Sequence, residues 1–226
     1  MPRFDSGAEA TYNLSAGNPM EKHYTLSFTA GGLLYQQTAE IAASILSQQK
    51  PDWEAIRAQV VSGALLHATR ASSRLRYFHE IRRRFESAHD FELAWIASEQ
   101  EGARLAIFAL CCRHYHFLGD FMEHVVQPKI ALGDTILTLA DFYSFFETSA
   151  ETHPELRAIT ESSRRKVQSV TFHMLAEAGL MDTRTKNISA PMVPHDLAEH
   201  YRQAGDYAAL MHLLQNEGAQ TWTRTV

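Results

Sequence analysis

Two features that many functional classes require are scarce in this 226-residue chain: cysteines and long apolar runs. Its two cysteines, Cys111 and Cys112, are adjacent, so they cannot cross-link distant parts of a fold, and we expect reduced packing residues. No stretch of about 18 apolar residues is present to span a bilayer, and the N-terminal residues lack the apolar core of a signal peptide. We therefore expect a cytoplasmic protein without a membrane partner.

Sequence signatures of catalysis are also missing. There is no glycine-rich phosphate loop followed by lysine, no nucleophile elbow and no carboxylate-histidine metal motif. Cys111 with His114, and Cys112 with His116, have helical spacing, but no second ligand pair with zinc-like spacing accompanies them. We therefore expect no enzyme, no catalytic residues, no cofactor and no metal site.

The apolar residues that are present recur at the three-to-four spacing of helices, and no long period-two strand pattern occurs in the first half. The expected fold is mostly all-α, in two helical units. Thr29 is the expected cap of the first helix, and Gly31 with Gly32 shapes the turn into it or permits close packing. Residues 1–24 are expected to form a loosely held arm, and residues 25–133 an N-terminal helical domain. Residues 134–226 are expected to form a C-terminal winged-helix-like domain with two terminal helices.

The C-terminal domain has the element order of a winged helix-turn-helix. LADFYSFFETSAE and HPELRAI predict two helices, and TESSRRKVQSVTFHMLAEAGL predicts a third helix that ends at Gly179. The turn-rich MDTRTKNISAPMVP that follows has the length of a small two-stranded β-wing near residues 181–194. In this arrangement the third helix lies in the DNA major groove. Two further helices, HDLAEHYRQAG and YAALMHLLQNEG, close the chain.

Basic charge is in the minority, since the formal net charge is -5, yet it is concentrated locally. The stretch ASSRLRYFHEIRRRF, residues 71–85, contains a Ser-Ser-Arg triplet that recurs in ESSRRKVQSVTFHML, residues 161–175. In both stretches a second basic residue follows the arginine at the same distance, so the charge pattern repeats with the triplet. The matching pairs are Arg74 with Arg164 and Arg76 with Lys166.

Both triplets lie at expected helix starts, and the arginines there are the unusual feature. A helix N-terminus carries about half a positive charge, so a cation in the first turn opposes the macrodipole. Free N–H groups, hydroxyls and cations that converge on such a start favour a phosphate. Two plainer interpretations stay open: the hydroxyl residues serve only as caps, and the arginines pair with acids elsewhere in the fold. The cap candidates are Thr69, Ser72, Thr160 and Ser162.

Helical spacing predicts which side chains of the two stretches face outward. The packed side of the first helix is formed by Leu75, Phe78, Ile81 and Phe85. The opposite, basic side is formed by Arg76, Glu80, Arg83 and Arg84. In the second helix Val167, Val170, Met174 and Ala178 pack, and Arg165, Lys166, Ser169 and His173 look outward. Arg165 is suited to hydrogen bonds with the edge of a guanine base, and the Ser169 hydroxyl can donate or accept a hydrogen bond with a base edge. The predicted DNA-binding residues are Ser72, Ser73, Arg74, Arg76, Arg83, Arg84, Ser162, Ser163, Arg164, Arg165, Lys166 and Ser169.

Several blocks of the sequence, in their order along the chain, resemble the BrxA family of bacteriophage exclusion (BREX) defence systems. The resemblance runs from about residue 25 to about residue 190, and the combination of blocks is specific although each block alone is not. The blocks are SFTAGGLLYQQ (27–37), DWEAIRAQV (52–60), TRASSRLR (69–76), CRHYHFLGDF (112–121), THPELRAITESSRRKVQ (152–168) and LAEAGL (175–180).

The resemblance implies a small, non-enzymatic helical protein, related in part to the NusB-like fold, that binds double-stranded DNA. It also implies partners from the same gene cluster: a methyltransferase, an ATPase and a phosphatase-like component. The spacing of the residues alone predicts only a helical protein with two anion-seeking helix starts. A protein-protein scaffold, in which the same arginines dock an acidic partner, and an RNA-binding module of the NusB type therefore stay open as alternatives.

Overall fold

A computed structural model describes residues 23–48, 51–66 and 70–214. No strand occurs within those residues, so the expected all-α fold class is confirmed. A 3-10 turn, Ser27–Ala30, precedes the first helix, and one π-helical turn, Met122–Val126, joins α6 to α7. The helices are α1 (Tyr35–Leu46), α2 (Trp53–Ser62), α3 (Ala71–Phe85), α4 (Asp90–Ala97), α5 (Ala103–His114), α6 (His116–Phe121), α7 (Gln127–Ala131), α8 (Leu139–Thr152), α9 (Pro154–Arg157), α10 (Glu161–Glu177), α11 (His195–Gln203) and α12 (Tyr207–His212).

Helix α5 lies at the centre of the core. Its sequence, ARLAIFALCCRH, is apolar on all sides, which is the pattern of a helix surrounded by other helices. Every residue from Leu105 to Cys112 is buried, and α1, α3, α4 and α12 contact it. Cys111 and Cys112 are buried free thiols, as expected, and burial raises the pKa of Cys111 to about 11. The thiols therefore act as packing groups.

A second part of the core is aromatic and joins α8 and α10 to α6. The ring of Phe117 lies 5.3 Å from that of Phe145, and the ring of Phe142 lies 5.8 Å from Phe121 and 6.2 Å from Phe172, measured between centroids. Edge-on and tilted pairs at these distances add to the free energy gained by burial. The contact of Phe172 with Phe142 therefore joins α10 to this aromatic part of the core.

The start of the first helix, α1, lies later in the chain than the sequence predicted. Thr29 lies within the 3-10 turn and does not cap α1, which begins at Tyr35 after Leu34, a residue with left-handed backbone. The Gly31-Gly32 pair does shape this turn, because Gly32 has a φ of 66°, which glycine adopts without strain. The prediction for the glycines is confirmed, and the helix start predicted at Thr29 was placed too early.

Residues 181–194, expected to form a β-wing, contain isolated antiparallel bridges in place of strands. Met181 pairs with Ile188, and Asn187 pairs with Ile136 from the segment that precedes α8. The backbone N–H of Ile188 donates to Thr135 at 2.7 Å. Three chain segments thus lie side by side after α10, and the contribution of residues 135–137 was not expected from the sequence.

The two terminal helices pack on the N-terminal half. Arg113 of α5 donates to Glu92 of α4 and to Asp206, which precedes α12, and the Tyr201 hydroxyl donates to Glu92 at 2.9 Å. Burial acts to raise the pKa of Asp206, but the Ala209 amide and Arg113 together hold it below its usual value. The boundary between residues 133 and 134 stays a prediction. In the part of the chain that the structure describes, no helix has the length and apolar character needed to cross a membrane.

Candidate nucleic-acid interface

The first Ser-Ser-Arg triplet lies in the first turn of α3. The helix begins at Ala71, and its cap position is held by Arg70, which makes no side-chain capping bond. Ser72 is therefore not the cap of this helix, and Thr69 lies outside the described residues. Ser72 is exposed and Ser73 is half-buried. The hydroxyl of Ser72 is thus open to a ligand at this helix start.

Arg74, the arginine of the first triplet, points toward the neighbouring helix α2. Its Nε donates to the carbonyl of Val60 at 2.9 Å, and its Nη2 donates to the carbonyl of Val61 at 3.1 Å. The last turn of α2 contains no basic residue of its own, and its terminal carbonyls carry partial negative charge. Arg74 therefore supplies the cation that the C-terminus of α2 lacks.

Arg84 is fully buried, so its predicted place on the solvent face of α3 is wrong. Its guanidinium donates to the carbonyls of Gly32 at 2.7 Å and Leu33 at 2.8 Å, and to the Tyr115 hydroxyl at 2.9 Å. Tyr115 donates in turn to Glu80, which is also buried and was also predicted to face outward. The correction has a physical cause: the glycine turn covers this side of α3 and offers carbonyls that a buried guanidinium satisfies.

The remaining basic side chains of α3 are more accessible. Arg76 is exposed, and the side chain of Arg83 is 51% exposed, with its Nη1 3.6 Å from Glu80. Arg82 is half-buried over the ring of Trp53, 5.3 Å from the centroid. The packed side was predicted correctly, since Phe78, Ile81 and Phe85 are buried and Leu75 is half-buried. The open cationic face of α3 is therefore narrower than the sequence indicated.

The second triplet begins α10 with a side-chain cap. The Thr160 hydroxyl accepts from the backbone N–H of Ser163 at 3.2 Å, which confirms one of the four cap candidates. The hydroxyls of Ser162 and Ser163 each lie 3.0 Å from the Thr160 hydroxyl oxygen, and both serines are exposed. Three hydroxyl groups thus surround the start of α10.

Arg164, the arginine of the second triplet, packs on α8. Its guanidinium carbon lies 4.7 Å from the ring centroids of both Tyr143 and Phe146, and it forms an ion pair with Glu147. Its Nε is buried and has no hydrogen-bond partner among the described residues. Arg164 therefore pairs with an acid elsewhere in the fold, which is the contact that one of the two plainer interpretations expected.

The outward face of α10 agrees with the prediction. Arg165, Lys166, Ser169 and His173 are exposed, while Val167, Met174 and Ala178 are buried and Val170 is half-buried. Arg165 also pairs with Glu161 at 3.1 Å, but both side chains are more than half exposed, so this pair is weak and open to exchange.

A cleft of about 570 Å³ is lined by α10, by residues 136–139 and by the turn that follows α10. Ser169 and His173 line one side, and Thr183, Thr185 and Lys186 line the other. No residue of this turn was predicted from the sequence as a DNA contact. The signal that could have done so is the pair of basic residues in MDTRTKN, beside the helix chosen for base contacts.

One short segment contacts both triplet helices. The Ser27 hydroxyl donates to Glu80 of α3 at 2.9 Å, and the backbone N–H of Leu33 donates to Glu177 of α10 at 3.2 Å. The chain between these two residues therefore fixes the ends of α3 and α10 that lie away from the triplets. The structure thus connects the two helices through residues 27–33.

The class of protein that this fold defines is an all-α protein with two related basic helices. A solved structure has a similar fold: the crystal structure of an uncharacterized protein from Magnetospirillum magneticum superposes with a TM-score of 0.72 and 19% identity, over 84% of this chain and 98% of that chain. At this identity the likeness concerns the fold alone.

The family is established by sequence. The BrxA family model matches residues 22–205, so the chain belongs to the BrxA family of BREX phage defence. Two curated relatives carry the name BREX protein BrxA. The relative from Bacillus cereus (strain H3081.97) is 33% identical over 89 residues, which cover 38% of this chain and 44% of the relative. The relative from Escherichia coli O9:H4 (strain HS) is 29% identical over 163 residues, which cover 71% of this chain and 76% of the relative.

Proposed function

We propose that this BrxA-family protein is a non-enzymatic accessory protein of a BREX system and that it binds double-stranded DNA. The observation that carries the proposal is the open face of α10, where Arg165, Lys166 and Ser169 are exposed beside two exposed serines at the helix start. Cations, hydroxyls and free N–H groups at one helix N-terminus form a favourable site for a backbone phosphate.

The proposed docking is that of a winged helix-turn-helix, within a protein that is NusB-like in part. The order of helices α8, α9 and α10 supports this proposal, and the bridged segments near residues 136, 181 and 188 lie where a wing would follow. In this arrangement α10 enters the major groove and the turn after it lies near the backbone.

The contacts divide into two groups. Base edges are assigned to Arg165 and Ser169, because guanidinium groups suit guanine and a hydroxyl both donates and accepts. Phosphates are assigned to the serines of the two helix starts and to the exposed cations Arg76, Arg83 and Lys166. These residues are Ser72, Ser73, Arg76, Arg83, Ser162, Ser163 and Lys166.

Titration of a fluorescent DNA duplex with the protein tests the proposal, with salt varied at each protein concentration. Neutralisation of about five to seven phosphates lowers affinity by a few powers of ten between low and moderately high salt. Single-stranded RNA and structured RNA are included as competitors, because the NusB-type alternative predicts a preference for them. An A-form RNA helix has a narrow major groove that α10 cannot enter. Absence of duplex binding at low salt, or stronger competition by RNA, contradicts the proposal.

Other BREX components are the proposed protein partners: the methyltransferase, the ATPase and the phosphatase-like protein. The observation that favours a protein contact is the exposure of apolar side chains in the segment that leads into α8, since Leu132 is 84% exposed, Ile136 is 56% exposed and Leu139 is 54% exposed. Co-expression with each component, followed by nuclease treatment and affinity purification, tests this. A complex that survives nuclease without any DNA binding by the chain supports a scaffold in place of a DNA-binding protein.

A further inference from the structure

We infer that the arginine of each Ser-Ser-Arg triplet, Arg74 in α3 and Arg164 in α10, is a positioning residue that holds its helix against an earlier helix and does not contact DNA. The DNA contacts then fall to the basic residues that follow, Arg76, Arg165 and Lys166. This inference rests on the proposed DNA binding and narrows it, because the sequence pattern alone assigned all of these cations to phosphates.

The geometry of Arg74 supports an internal role. Two of its nitrogens donate to successive carbonyls at the end of α2, those of Val60 and Val61. The guanidinium also lies against Gly63, since a Cβ added to that glycine would be 3.6 Å from Arg74 Cζ. These bonds hold the Arg74 side chain against α2 and place a cation at its last turn, so movement of the guanidinium onto a phosphate would compete with them.

The contacts of Arg164 also support an internal role, although they differ from those of Arg74. Its guanidinium lies over two rings of α8, those of Tyr143 and Phe146, and its ion pair with Glu147 satisfies charge on the same helix. Stacking on aromatic faces is favourable when the cation is partly desolvated, and only 21% of this side chain is exposed. Movement onto DNA would give up both ring contacts.

Helical geometry explains why the next basic residue is free for a ligand. Two positions along an α-helix correspond to a rotation of about 200°, so a residue two places after an inward-facing one points outward. Arg76 and Lys166 occupy that position and are exposed in both helices. Arg165 adds an outward cation that α3 lacks, because the corresponding residue there is the half-buried Leu75.

Substitution by lysine separates position from charge. Lysine keeps the positive charge but loses the planar fork and the stacking surface of arginine. If Arg164 were a phosphate contact, Arg164→Lys would retain most duplex affinity. If Arg164 is a positioning residue, Arg164→Lys is expected to weaken duplex binding several-fold and to speed amide hydrogen exchange in the first turn of α10. Arg165→Lys is the matched control and leaves that exchange unchanged.

NMR of the arginine Nε–Hε groups gives the direct test. In full-length protein titrated with a DNA duplex, the signals of Arg76 and Arg165 are expected to shift while those of Arg74 and Arg164 stay in place. Shifts of Arg74 or Arg164 as large as that of Arg165 overturn the inference. If no arginine signal shifts, the proposed DNA binding fails, and the inference is then judged by hydrogen exchange alone: unchanged exchange in Arg164→Lys contradicts it, and faster exchange supports it.

Discussion

Helices α3 and α10 carry the same Ser-Ser-Arg start and are used differently. α3 begins without a side-chain cap and sends Arg84, near its end, into the core, whereas α10 begins under the Thr160 hydroxyl and keeps a whole side open. The triplet itself has the same consequence in both helices, because its arginine docks on an earlier helix. In both helices the arginine of the repeated motif contacts the fold, while the basic residue two places later, Arg76 or Lys166, is exposed.

The surroundings of the two helices explain the difference. α3 contacts α1, α2, α5 and the 3-10 turn, so much of its circumference is covered and two of its charged residues must be satisfied internally. α10 contacts the 3-10 turn at one end and the aromatic core on one side. Arg165, Lys166 and Ser169 of α10 therefore remain exposed to solvent.

Removal of the buried cation of α3 is expected to have the largest effect on stability. Arg84→Met leaves the Gly32 and Leu33 carbonyls without their donor and Glu80 without a buried counter-charge, and loss of one member of a buried charged group costs about 3–5 kcal/mol. Urea denaturation followed by circular dichroism measures the free energy of unfolding. Arg76→Met, at an exposed position of the same helix, is the control and is expected to change it by less than about 0.5 kcal/mol. Equal effects of the two variants would show that the burial of Arg84 is not important for stability.

Charge reversal on the exposed faces of α10 and α3 is expected to have the next largest effect, which is on duplex affinity. Arg165→Glu with Lys166→Glu is expected to weaken duplex binding by about a hundredfold or more at low salt, because two cations are lost and two repulsive charges are added. Arg76→Glu with Arg83→Glu on α3 is expected to weaken it less, since that helix has no base contact assigned.

A matched control accompanies both double variants. Arg104→Glu with Arg202→Glu changes the net charge by the same amount on α5 and α11, and it is expected to reduce affinity only slightly. Melting temperatures by circular dichroism check that each variant is folded. A folded α10 variant that binds as tightly as the control contradicts the assignment of α10 to DNA.

The helix caps give the smallest expected difference. Thr160→Ala removes a side-chain acceptor from the start of α10 and is expected to cost about 1 kcal/mol of unfolding free energy. Ser72→Ala is expected to change it by less than about 0.5 kcal/mol, because Ser72 does not cap α3. Thermal or urea denaturation of both variants measures the contrast, and a larger loss for Ser72→Ala than for Thr160→Ala would refute it.

The sequence was sufficient for the helical fold class and for the packed side of each triplet helix. Both follow from local periodicity, which the burial of Phe78, Ile81 and Met174 confirms. The burial of Arg84 could not be predicted in the same way, because its partners Gly32 and Tyr115 lie 52 and 31 residues away along the chain. Side-chain spacing shows which residues share a helix face, but a distant turn decides whether that face is covered.

The start of α10 shows the same limit. Thr160 was among the expected caps because a hydroxyl before a helix is a local signal. The destination of Arg164 was not foreseeable, since Tyr143 and Glu147 belong to a different helix and only the packing of α8 on α10 places them beside it. The bridged segment at residues 135–137 was missed for a similar reason, since its partner lies beyond α10.

The central claim is that residues of both α3 and α10 contact DNA phosphates, and the salt dependence of duplex binding tests it most directly. Each phosphate contact contributes about 0.9 to the slope of log affinity against log salt. Lys166→Gln and Arg76→Gln are each expected to reduce the magnitude of the slope by about 0.9, and the double variant by about 1.8. A slope that falls with Lys166→Gln and stays unchanged with Arg76→Gln would contradict the claim and leave α10 as the helix that binds DNA.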